Sequence, residues 1–94
     1  MKNEVYDEFC QRYVDYYGAE HCKEILISEC GKFIAYAAMC DRSDMTTSEF
    51  LECLASLQNA MDIVMTALPI GSDKLQEEMT RNFFERTFTF YHGS

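Results

Sequence analysis

Hydrophobic residues recur along this chain with the spacing of helices, in four stretches separated by short polar breaks. Val5, Phe9, Tyr13 and Tyr16 return every three or four positions, and Gly18 suits the end of that helix. A second, longer run from about Glu20 to Met39 places Cys22, Ile25, Leu26, Phe33, Ile34 and Ala37 on one side. The segment Asp41-Arg42-Ser43-Asp44 interrupts it, after which Thr46 and Glu49 have the spacing of a capping box opening a third helix. Its apolar stripe reads Phe50, Leu54, Leu57, Met61, Val64 and Leu68. Pro69, Gly71 and Ser72 break the pattern again, and Ser72 or Asp73 is expected to cap a last helix running to about Tyr91. Nothing alternates with period two for long enough to build a sheet, and the TFTFY stretch continues the helical stripe of Met79, Phe83 and Phe84. The expected fold is all-α: one domain over residues 1–94, four helices, the second and third antiparallel, with these apolar faces turned inward.

Size and charge narrow the function. A chain of 94 residues buries somewhat over half of the surface it exposes when unfolded. With 48% hydrophobic residues, its four helices carry more apolar face than one small bundle covers. A homodimer is therefore expected, with Tyr17 and Phe88 in or near the contact. The formal charge of −8 argues against nucleic acid, whose phosphates demand a basic face, and against anionic membrane surfaces. No apolar run is long enough to span a bilayer, and the acidic, polar start lacks the pattern of a signal peptide. Cys10, Cys22, Cys30, Cys40 and Cys53 form no C-x-x-C pair, and four of the five sit inside apolar helical patterns. An odd count without metal spacing reads as reduced core thiols, which points to a cytoplasmic protein. His21 and His92 lie far apart with no ligand pattern.

The candidate chemistry lies in acids at helical spacing. Glu29 stands in the second helix, and Glu49 and Glu52 stand three apart in the third. Two antiparallel helices can aim such carboxylates at one spot, which is how helical bundles build hard-cation sites. The first segment reads Ser28-Glu29-Cys30-Gly31-Lys32, the second Glu49-Phe50-Leu51-Glu52, and the closing helix contains Phe83-Phe84-Glu85-Arg86-Thr87-Phe88. In this layout, from Gly18 to Tyr91, the chain resembles the MazG-like nucleotide pyrophosphohydrolases, all-α proteins related to dimeric dUTPases. That family's motif reads E-E-x-x-E, a spacer of varied length, then E-x-x-D. It sits on two adjacent helices and holds Mg²⁺ against the phosphates of a nucleoside triphosphate. A closing run like K-F-E-R-R-F brings basic residues toward those phosphates.

The resemblance implies a site of Glu29, Lys32, Glu49, Glu52 and Arg86, and departs from the family at the positions that matter. Ser28 and Lys32 stand where the first segment should be acidic, and Glu52 stands where the second has Asp. Phe83 and Thr87 replace a lysine and an arginine of the closing run. An alternative register that starts at Glu52 and ends at Ala55 leaves fewer acids still. A lysine at a ligand position deletes an oxygen donor, and at about 4 Å its charge opposes a divalent ion by several kcal/mol at an effective dielectric near 20. Lys32 is instead placed to neutralise Glu29 and its neighbours as a salt-bridge cluster. Three functions follow. One is a decayed MazG-like protein that binds a nucleotide-like ligand or a partner protein without turnover. Small acidic variants of the family are frequent in phages and mobile elements, which would make that partner a host factor. The second is a Mg²⁺-dependent nucleoside triphosphate pyrophosphohydrolase with Glu29, Glu49 and Glu52 on the metal. The third is a structural helical dimer. The first is the reading adopted, with no cofactor required.

Overall fold

Each helix begins or ends where a side chain or a glycine meets the orphan backbone groups of its terminus. The computed structural model describes residues 3–68 and 71–93. Helix α1 spans Glu4–Tyr17, and its first turn is closed by Asn3, whose Oδ1 accepts from the Tyr6 amide at 2.8 Å. Gly18 ends α1 and opens α2 (Ala19–Met39) at φ +84°, a backbone region that favours a residue without Cβ. The chain thus changes direction at a single position. After α2, Asp41 Oδ1 accepts from the Ser43 amide and hydroxyl and from the Asp44 amide, which stabilises its charged form and lowers its pKa. A single 3-10 turn follows at Ser43–Thr46. Thr47 then caps α3 (Ser48–Ala67), its Oγ1 accepting from the Phe50 amide at 3.2 Å. Helix α4 spans Ser72–His92 and ends at Gly93 in the left-handed conformation.

The molecule is all-α: four helices, and no strand among the described residues. Helix α2 packs on α3 along its length, and α1 lies against both. Phe33 and Tyr36 near the end of α2 meet the Phe50 ring at the start of α3, with centroids 5.7 and 6.3 Å apart. Cys22 at the start of α2 shares a buried cluster with Ile63 near the end of α3, so the two helices run antiparallel, as expected. Cys10 of α1 joins that cluster, flanked by Tyr6, Tyr13, Val14 and Val64. Among the described residues no helix is long and apolar enough to cross a membrane.

Several sequence expectations shift by one position. On α1 the inward face is Tyr6, Cys10, Tyr13 and Val14, whereas Val5, Phe9 and Tyr16 are exposed. Both sets recur at helical spacing, and the apolar band is wider than the contact α2 and α3 offer. The cap of α3 is Thr47, not Thr46, because the Thr46 hydroxyl donates back to the Ser43 carbonyl inside the 3-10 turn. The cap position of α4 falls on Gly71, not on Ser72 or Asp73, and Pro69 lies outside the described residues. Ile34 on α2 is exposed, as are Leu54, Met61 and Leu68 on α3, while Leu57 and Val64 are half-buried. The largest departure is α4. Met79, Phe83 and Phe84 were expected to face inward, yet they are exposed, as are Phe88, Phe90 and Tyr91.

Candidate functional site

The antiparallel pairing of α2 and α3 sets one turn of each helix side by side, and the acids singled out by spacing line the groove between them. Glu29, Lys32 and Tyr36 contribute from α2, and Glu49, Glu52, Cys53 and Ser56 from α3, around a volume of about 260 Å³. Four of the five expected site residues therefore share one surface. Arg86 does not join them. It lies on α4, where its Nε donates to Asn82 Oδ1 at 2.8 Å in a shallow depression with Glu85, Thr89 and Phe90. Phe83 and Thr87 line a neighbouring depression on the same helix.

Within the groove, Lys32 Nζ lies 3.5 Å from Glu29 Oε1, one helical turn away. The glutamate side chain is only 21% exposed and the lysine 67%, so the ammonium reaches over the carboxylate from the solvent side. The pair is partly screened and contributes about 0.2–1 kcal/mol, as exposed ion pairs do. Its consequence for ligands is larger than for stability. Any cation approaching Glu29 meets a resident positive charge. Among the described residues no three carboxylate, imidazole or thiol groups converge closely enough to hold a metal ion. The Mg²⁺ set implied by the resemblance, Glu29 with Glu49 and Glu52, does not fit these residues as they stand. The arrangement can accept hydrogen bonds and cations of modest charge density. With three carboxylates to one ammonium, it is ill suited to a polyphosphate.

A second polar centre lies between α1 and α3, and the spacing of the acids did not point to it. The Tyr6 hydroxyl donates to Asp62 Oδ2 at 2.8 Å and lies 3.0 Å from Asn59 Oδ1. A cavity of about 250 Å³ beside it is lined by Tyr6, Cys10, Asp62, Met65, Thr66 and Leu75, among others. Burial, and then the hydrogen bond to Asp62, push the Tyr6 phenol well above its ordinary pKa. Burial likewise raises the Cys10 and Cys22 thiols, so both stay protonated near neutral pH and neither is an activated nucleophile. The signal that could have revealed this centre is Asp62, the one charge in the apolar run from Leu57 to Leu68.

Each histidine lies against an aromatic ring, His21 stacked on Tyr17 at 4.6 Å and His92 tilted against Phe88 at 4.3 Å between centroids. All five cysteines are free thiols. Comparison with protein-family models, with curated proteins and with solved structures found no match.

Proposed function

We propose that this chain is a non-catalytic protein on a MazG-like helical scaffold, and that it works by binding a partner protein without nucleotide turnover. The observation that carries this reading is Lys32, which stands at an expected ligand position with its ammonium 3.5 Å from Glu29. The ammonium repels a metal ion that would seek Glu29, and a triphosphate brought to the groove would meet mainly carboxylates. The choice of a protein over a nucleotide-like ligand rests on two further features. The groove is open and acidic, and Arg86, the arginine the resemblance assigns to the phosphate side, lies on another surface. The outward faces of α1 and α4 carry large exposed side chains at helical spacing, the pattern by which helices recognise other helices.

The competing reading is a Mg²⁺-dependent pyrophosphohydrolase, and one experiment separates the two. The purified protein is incubated with Mg²⁺ and a panel of nucleoside triphosphates, and monophosphate and pyrophosphate are quantified, with Mg²⁺ binding followed by calorimetry in parallel. The binding reading expects no release above the protein-free control and no saturable Mg²⁺ heat. Turnover on the order of one per second on any of these substrates would install the enzyme reading in its place.

A further inference from the structure

Helix α4 has no business being stable where it stands. Beyond its start, where Leu75 and Gln76 touch the cavity beside Tyr6, its large apolar side chains face solvent, and Phe84 and Phe88 are 64% and 65% exposed. An isolated helix of 21 residues is marginal in water, because most helical stability in proteins comes from packing an apolar face.

The surface area says how much is missing. A compact monomeric protein of 10.9 kDa exposes about 5,600 Å² by the usual scaling with mass. This chain exposes 7689 Å², a surplus of roughly 2,100 Å² over that scaling. Its radius of gyration is 16.0 Å, where about 12 Å is expected for a compact chain of this length. A transient protein partner covers about 800 Å² on each side and would leave more than half of the surplus in water. Two copies that each bury the surplus form an interface of roughly 4,200 Å² in total, inside the range of obligate homodimers.

We propose that the occupant of the α4 face is a second copy of this chain, with the two α4 helices packed on each other and on the partner's α1. This deepens the partner-binding reading above by naming the partner. Val5, Phe9 and Tyr16 form a further uncovered apolar stripe, on α1, that the same partner can meet. A two-fold arrangement also closes on itself, so each copy's apolar face is satisfied once and no open chain of molecules results.

Light scattering on the unmodified protein tests this, together with the double substitution Phe84→Glu and Phe88→Glu. The expected mass is twice 10.9 kDa for the unmodified chain and 10.9 kDa for the variant. Loss of two aromatic anchors weakens the dimer on the order of a thousandfold. A unit mass for the unmodified chain at about 100 µM overturns the proposal, since obligate dimers persist well below that concentration. A dimer that the double variant leaves intact overturns it as well. Should the variant lose its helical signal, hydrogen exchange of the unmodified chain decides. Protection of α4 amides that rises with protein concentration supports the proposal, and protection independent of concentration overturns it. These outcomes are separate from nucleotide turnover. A non-hydrolysing monomer refutes the dimer alone, and a hydrolysing dimer refutes the binding reading alone.

Discussion

Replacing Tyr6 by phenylalanine removes the polar link between α1 and α3 while keeping the ring that packs against the Cys10–Cys22–Ile63 cluster. The lost bond runs from the phenol to Asp62 Oδ2 at 2.8 Å in a partly buried setting. Hydrogen bonds to charged acceptors contribute about 1.5–3 kcal/mol. Asp62 is only half-buried and adjoins a cavity of about 250 Å³ that can admit water to the orphaned carboxylate. The lower end therefore applies, about 1.5 kcal/mol. For a domain of this size that lowers Tm by roughly 6–12 °C. The pH dependence supplies an independent check. The folded-state pKa of Tyr6 is raised, so above about pH 10 the unfolded chain releases a proton that the native state keeps. Stability conferred by this group is fully present below that pH and is lost as pH rises through the folded-state value. Phenylalanine has no proton to release, so the gap between Tyr6→Phe and the unmodified protein narrows in alkali. Urea melts at about pH 7 and about pH 10.5, at one fixed protein concentration, measure both effects. A variant within about 0.3 kcal/mol of the parent at neutral pH, below the spread of a single hydrogen bond, would mean that the Tyr6–Asp62 bond does not hold α1 to α3.

Two further substitutions probe the caps and the groove. Thr47→Ala removes the side-chain acceptor of the Phe50 amide and should cost about 1 kcal/mol, whereas Thr46→Ala, outside the cap, should cost under half of that in the same urea melts. Lys32→Glu combined with Ser28→Glu restores the acidic pattern and removes the resident cation, so saturable Mg²⁺ binding should appear by calorimetry before any turnover does. Equal affinity for Mg²⁺ in parent and variant would mean that Lys32 does not control the groove.

Much of this architecture is legible in the residues, and the failures have a common cause. The helix spans follow from period and punctuation, since Gly18 and the Asp41–Asp44 break lie where the chain turns. The pairing of Glu29 and Lys32 with Glu49 and Glu52 also follows, because residues one turn apart share a face and α2 and α3 are joined by a short connection. What period cannot decide is which of two adjacent apolar stripes is covered. On α1 the stripe with Val5 and Phe9 is as regular as the one with Tyr6 and Cys10, and only the second meets α3. The same ambiguity governs Arg86, whose position depends on where α4 lies, and α4 has few contacts within its own chain to fix it. The cap of α3 moved by one residue because Thr46 has a competing acceptor in the 3-10 turn.

Lys32 holds a positive charge against Glu29 in the groove, at a position where a metal ligand would be acidic. The most direct test is the release of pyrophosphate from nucleoside triphosphates by the unmodified protein in the presence of Mg²⁺. The expected rate is indistinguishable from the protein-free control across the panel. A rate on the order of one per second, abolished by Glu49→Gln or by chelation of the metal, would contradict it.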